Sequence, residues 1–183
     1  TISDAFLELY KAGKLTNAHK ELDTGLSAWN LAMGSQELYD WLDAEPQLFH
    51  PGDLDYIHSV ERISKLSNVI SINGGVQLDL MGQENAESTG TRQLSGVGGQ
   101  MDFLEGAYRS KGGKGFICIN SSRVTKDGER KSNILATIPG GSTISAPRTM
   151  IQYVATECGI ASLSGKTLRE RAEAMASIAH PDF

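Results

Sequence analysis

The stretch "SGVGGQMDFLEGAYRSKGGKGFICIN", Ser95 to Asn120, holds a loop, a helix and a strand in one line. Gly96, Gly98 and Gly99 bare the backbone at its start. From Gln100 or Met101 onward, Phe103, Leu104 and Ala107 recur on a helical period, and Gly112 and Gly113 supply the stop. "GFICIN" follows as an apolar run of strand length. The order predicts an α/β unit with bare backbone at the entrance of its helix.

Outward from this stretch the same alternation continues. "VISIN" fits a buried strand and "VQLDL" alternates like another, while "NILATI", "STISA" and "IQYVATE" are further strand candidates. Helices are expected at residues 4–12, closed by Gly13, and in "SQELYDWLDAEP", with Ser35 as N-cap and Pro46 as stop. "DYIHSVERISKLSN" reads as a third helix, and "GKTLRERAEAMASIAH" as an amphipathic one with Leu168, Ala172, Met175 and Ala179 facing in. "SRVTKDGERKSN" is polar enough for an exposed loop or hairpin centred on Asp127-Gly128. The expected fold is α/β, a mixed sheet flanked by helices, in one domain over residues 1–183.

Composition narrows the function classes. A chain of 183 residues with 21% charged side chains can bury a real core, and no apolar run approaches a membrane span. The formal net charge of -5, with basic residues scattered, argues against nucleic acid as partner. The four histidines show no compact metal spacing, so no metal is expected. Cys118 and Cys158 lack CxxC pairing and read as two buried thiols in a reducing compartment.

Backbone N–H groups freed by Gly98 and Gly99 at a helix start can bind a phosphate, or hold a carbonyl oxygen that gains charge during acyl transfer. The plainest alternative is a tight loop in which glycine only permits positive φ. A P-loop would need Lys-Ser or Lys-Thr after the glycines, and a dinucleotide fingerprint would need glycine where Met101 stands.

Three blocks in order, "SINGGVQLDLMGQENAES", "RQLSGVGGQMDFLEGAYRSKGGKG" and "YVATECGIASLSGKTLRERAEAMASIAHPDF", closely resemble the C-terminal half of the acetyl-CoA hydrolase/transferase family, which includes 4-hydroxybutyrate and butyrate:acetate CoA-transferases. The resemblance runs from about Ser3 to Phe183. It implies the C-terminal lobe of a two-lobed, NagB/RpiA/CoA-transferase-like protein whose N-terminal lobe lies outside this chain. It also implies transfer of coenzyme A between an acyl-CoA and a small carboxylate through a glutamyl-CoA thioester. "TISDAFLEL" looks like the segment that follows the nucleophilic glutamate, which places that residue immediately before Thr1 and leaves this chain inactive alone. Among internal carboxylates, Glu8, Glu37 and Glu45 fit solvated helix faces, Glu87 lies in another block, and Glu157 is the best rival.

By the same resemblance Gly98 and Gly99 supply the catalytic backbone donor. Coenzyme A contacts gather at Ser95 and Gly99, at the turn Asn73, Gly75 and Val76, and at Lys126. The chain departs from the family at "INGG", in a longer "RVTKDGERK" segment, and in Ser132-Asn133 where relatives carry Ser-Arg. Full-length relatives imply a cytoplasmic homodimer. An acyl-CoA hydrolase of the same family, or a CoA-binding module without chemistry, are the alternatives.

Overall fold

The computed structural model describes residues 1–183. Its centre is a four-stranded sheet of β3 (Ile70–Gly74), β8 (Lys114–Cys118), β12 (Tyr153–Thr156) and β13 (Gly159–Ser162), in the order β13-β12-β8-β3. β3, β8 and β12 run parallel, whereas β12 and β13 form an antiparallel hairpin. Helix α5 (Gln100–Arg109) is the crossover that lets β8 lie parallel beside β3. The order loop, helix, strand in Ser95 to Asn120 is therefore what the fold contains.

Smaller pieces frame this sheet. β1 (Ser27–Trp29) pairs in parallel with β2 (Phe49–Pro51), and β4 (Gln77–Asp79) lies between β5 (Glu84–Asn85) and β11 (Ile134–Leu135). β6 (Ser88–Thr89) and β7 (Arg92–Gln93) form a tight pair ahead of the glycine loop. β9 (Ser122–Val124) and β10 (Arg130–Ser132) form the exposed hairpin expected around Asp127-Gly128.

The apolar side chains collect in two clusters. Leu78, Leu104, Ile117, Val154, Leu163 and Met175 belong to the core of the main sheet, α5 and α6 (Leu168–Ala176). Ile2, Leu7, Leu38, Trp41 and Phe49 join α1 (Asp4–Lys11) to α2 (Gln36–Ala44). Ser35 caps α2 by accepting the Leu38 N–H at 3.3 Å, and its own hydroxyl donates to Asp4 Oδ1 at 2.7 Å, which ties the two helices at their starts.

Several expectations are corrected. "DYIHSVERISKLSN" is two short helices, α3 (Leu54–Ile57) and α4 (Val60–Ser64), because the Ser59 hydroxyl accepts the Arg62 N–H at 3.2 Å and starts a new helix there. The "VISIN" strand exists as β3 but is no buried strand: it is the sheet edge, its alternation puts Ser71 inside, and Ile70 and Ile72 are 50% and 69% exposed. "NILATI" shortens to Ile134–Leu135. "STISA" makes only the single bridge Ala146 to Glu84, hemmed in by Pro139-Gly140-Gly141 and Pro147.

On α6 the inward face is set by Arg171 and Met175, so Leu168 turns out to solvent at 48% exposure. Both thiols are exposed, against expectation. Cys118 follows Ile117, which fills the core, so the two-residue period of β8 turns the thiol to the other face. Cys158 sits in the turn between β12 and β13.

Candidate functional site

The glycine loop and β3 meet at one open cleft of about 880 Å3. Asn73, near the carboxyl end of β3, lines it, as do Gly98 and Gly99 and the first residue of the chain, Thr1. Ligands of α/β sheets commonly bind outside the carboxyl ends of parallel strands, which is where Asn73 stands. Gly98 has φ +59, a left-handed conformation natural to glycine, and Gly99 is the N-cap of α5. This turn presents the first N–H groups of a ten-residue helix, which have no intrahelical acceptor. Their partial positive charge suits an anion or an oxygen that becomes one.

Gly99 is pressed closely on one side. A methyl group there would lie 2.2 Å from Cε1 and 2.4 Å from Nδ1 of His58, so glycine is required by space. His58 lies between α3 and α4 and is held from three directions. Its Nε2 is 3.0 Å from Asn30 Nδ2, its Nδ1 is 3.4 Å from Asp102 Oδ2, and its ring meets Phe103 edge to face. With the Asn30 amide donating to Nε2, the ring proton sits on Nδ1 and points to Asp102.

Behind the loop, Gln100 is buried and its Nε2 donates to Glu84 Oε2. Glu84 is 0% exposed, and burial pushes its carboxyl up to about 7, with the hydrogen bond from Gln100 opposing and the charge of Glu87 adding. The folded state therefore holds a proton on Glu84 that the unfolded chain releases near pH 4.5. A raised folded value means stability is full below the unfolded one and is lost as pH rises toward about 7. Relative to Glu84→Gln, the chain is expected to lose on the order of 3 kcal/mol of unfolding free energy between acid and neutral pH. Urea titrations of both proteins at several pH values measure it, and parallel curves would contradict the burial.

The other expected site residues are placed as follows. Gly75 lines a neighbouring depression with Cys118, Ile119 and Asn120. Val76 N–H donates to Asn85 O at 2.9 Å, which fixes the turn after Asn73. Ser95 is exposed, its N–H donating to Glu87 O at 3.3 Å and its carbonyl accepting from Gln93, and it does not line the cleft. Lys126 stands exposed at the tip of the β9–β10 hairpin, also outside the cleft lining. The structure thus gathers Asn73, Gly98 and Gly99, and leaves Ser95, Val76 and Lys126 at a remove.

Glu157 is exposed near the β12–β13 turn, outside the cleft lining. It accepts from the hydroxyl and the N–H of Ser121, the latter at 2.9 Å, and these bonds hold its carboxyl below the usual range. His58, Asn30, Gln100 and Glu84 were not among the expected site residues. The spacing of His58 tests only metal binding, and Glu84 within "QENAES" looks like any polar loop residue. Only Gln100 carried a usable signal, as the first residue of a helix that follows bare glycines.

The family described as acetyl-CoA hydrolase/transferase C-terminal domain matches residues 34–183. The chain is 43% identical over 180 residues to the butyryl-CoA:acetate CoA-transferase of Anaerostipes caccae, covering 98% of this chain and 40% of that protein. It is 44% identical over 182 residues to the 4-hydroxybutyrate coenzyme A transferase of Clostridium kluyveri, covering 100% and 42%. Among solved structures, RipA from Yersinia pestis superposes with a TM-score of 0.89 at 37% identity, over 100% of this chain and 40% of that one. The 4-hydroxybutyrate CoA-transferase of Porphyromonas gingivalis superposes with a TM-score of 0.81 at 35% identity, over 100% and 41%. The chain spans about two-fifths of the length of these relatives. With the family match over residues 34–183 and relatives at 43% and 44% identity, the chain belongs to the acetyl-CoA hydrolase/transferase family, in the part described as its C-terminal domain.

Proposed function

We propose that this chain is the coenzyme A-holding lobe of a CoA-transferase that exchanges coenzyme A between an acyl-CoA and a small carboxylate of the acetate, butyrate or 4-hydroxybutyrate type. The observation that carries the reading is that Thr1, Asn73, Gly98 and Gly99 line one cleft. A glutamate joined to the nitrogen of Thr1 in a longer protein enters that cleft beside the bare backbone. The N-terminal lobe supplies this nucleophile, so the present chain alone turns nothing over. In the cell the full-length protein is a cytoplasmic homodimer.

A carboxylate attacking a thioester carbonyl forms a tetrahedral species whose oxygen takes the charge. Collapse of that species expels the CoA thiolate and leaves an acyl-glutamyl anhydride. The thiolate then attacks the glutamyl carbonyl, releases the first carboxylate and leaves glutamyl-CoA. A second carboxylate reverses the two steps and departs as the new acyl-CoA. Each tetrahedral oxygen needs a fixed donor, and the N–H groups around Gly98 and Gly99 serve without reorganising. Asn73 offers an amide donor and an acceptor to the pantetheine arm. Ser95, Gly75 and Val76 extend that contact along the two loops, and Lys126 on its mobile stem pairs with a phosphate of the cofactor.

Intact-mass measurement tests the reading. The full-length protein incubated with acyl-CoA is expected to gain the mass of one coenzyme A less one water, as a thioester that borohydride cleaves, while this chain alone gains none. Added acetate should remove the adduct as acetyl-CoA. Discharge without acetyl-CoA would indicate a hydrolase, and the absence of any adduct would leave a binding module.

A further inference from the structure

Glu84 is the bulkiest polar side chain that the fold buries completely. Its backbone is fixed on both sides: the N–H donates to Ala146 O at 3.0 Å and the carbonyl accepts from Ser145 N–H at 2.8 Å. From this anchored position the side chain reaches the start of α5, where Gln100 donates to Oε2. The other oxygen, Oε1, is buried with no donor. It lies against the turn that follows Asn73: a methyl group at Gly75 would stand 2.7 Å from it, and 3.0 and 3.2 Å from Cγ2 of Ile119 and Ile117. Gly75 is not in the left-handed region, so its backbone would accept alanine. The nearest obstacle to a side chain at 75 is Glu84 Oε1, with the Ile119 and Ile117 methyls just behind it.

We propose that Glu84 is a positioning residue of the cleft, linking Gln100 at the foot of the glycine loop to the Gly74–Val76 turn, with glycine at 75 making the room its second oxygen needs. Gln100 and Asn73 both line the cleft, so one buried carboxyl sets the separation of its two walls. A pair of apolar side chains could pack there, but a carboxyl accepts from Gln100 with one oxygen while the other packs, without a donor, against the turn. The link stands apart from the CoA-transfer reading, on which only its effect on turnover rests.

A double-substitution cycle on the full-length protein tests it. Gly75→Ala is expected to lower the thermal midpoint by about 3 °C in the parent, because overpacking a filled site is costly. In a Glu84→Val background, which removes both oxygens and introduces a β-branched strand former, the same change is expected to cost under about 1 °C. Glu84→Ala provides a second background with the same expectation. Glu84→Gln, which keeps the size, should leave Gly75→Ala as damaging as in the parent. Equal costs in the parent and in either smaller background would overturn the proposal.

For turnover, Glu84→Val is expected to lower kcat about tenfold with KM for acyl-CoA changed less than about twofold, and Glu84→Gln to restore most of it. An unchanged kcat in Glu84→Val would overturn the positioning role. An unsubstituted protein that transfers no coenzyme A would refute the proposed function alone, because the stability cycle reads the link without any activity.

Discussion

Gly99→Ala in the full-length protein is expected to reduce kcat for acyl-CoA:acetate exchange by on the order of 100-fold, with a smaller change in KM. The cause is steric. At φ -90 and ψ 9 an alanine is allowed, so the substitution does not strain the backbone itself. Its methyl group would meet the His58 ring at 2.2 Å, and that ring cannot simply rotate away. Asn30 holds Nε2, Asp102 faces Nδ1 and Phe103 supports the ring's edge. The loop must therefore shift, and with it the N–H groups proposed to hold the developing oxyanion.

Two companions separate this cause from others. Gly98→Ala meets nothing within 4 Å but forces alanine to φ +59, so it is expected to cost about 1 kcal/mol of strain and less activity. Combining Gly99→Ala with His58→Ala removes the obstacle and should recover part of the lost rate. Steady-state kinetics decide the matter: full activity in Gly99→Ala would mean that these N–H groups do not face the reacting carbonyl.

The main architecture was legible because it rests on local rules. Gly96 to Gly99, the period of Phe103, Leu104 and Ala107, and the run after Lys114 each state their structure within a few residues, and α5 and β8 follow. The errors came where a distant partner decides. Ile70 and Ile72 look like core residues, yet β3 has only one strand beside it and its apolar face is turned out. No period within "VISIN" can tell an edge strand from a central one. Ser59 inside an apparent helix could be read either as a solvated position or as a new cap, and its hydroxyl chooses the cap.

The candidate site divides the same way. Gly98 and Gly99 show in the sequence because consecutive glycines mark bare backbone at a helix start, which serves a ligand as well as the positive φ that Gly98 adopts. His58 and Glu84 carry no such mark: their roles exist only once α5 returns to lie beside β3, bringing Gly99 under the imidazole and Gln100 onto the carboxyl. A buried glutamate between glutamine and asparagine is invisible to hydropathy, since its neighbours are as polar as those of a surface loop. Arg171 hid in the same manner within a helix whose other charges are exposed or partnered at the surface, Arg169 pairing with Glu173 and Glu170 closing the Thr167 cap.

That arginine carries the largest expected effect on stability. Arg171→Leu is expected to destabilise the chain by about 3 kcal/mol or more and to lower its thermal midpoint by on the order of 10 °C. Arg171 is 8% exposed, and its guanidinium donates to three carbonyls from separate segments. Nε donates to Met81 O at 2.7 Å, Nη1 to Leu163 O at 2.8 Å and Nη2 to Arg148 O at 2.8 Å. Leucine fills the volume but leaves these carbonyls without a donor in a place where water is excluded, and each such loss is unfavourable. Arg171→Lys should recover little, because one ammonium on a single stem cannot span three acceptors laid out for a planar fork. None of the residues bound by Arg171 lines the cleft, so protein that remains folded at low temperature should keep its kcat while its midpoint falls. Differential scanning calorimetry with kinetics on the same samples separates the two quantities. A leucine variant within about 1 kcal/mol of the parent would mean that the carbonyls find water or each other. The apolar packing of Met175 and Ile178 would then suffice to hold this end of the chain, and the guanidinium would not be the bolt between the last helix and the sheet.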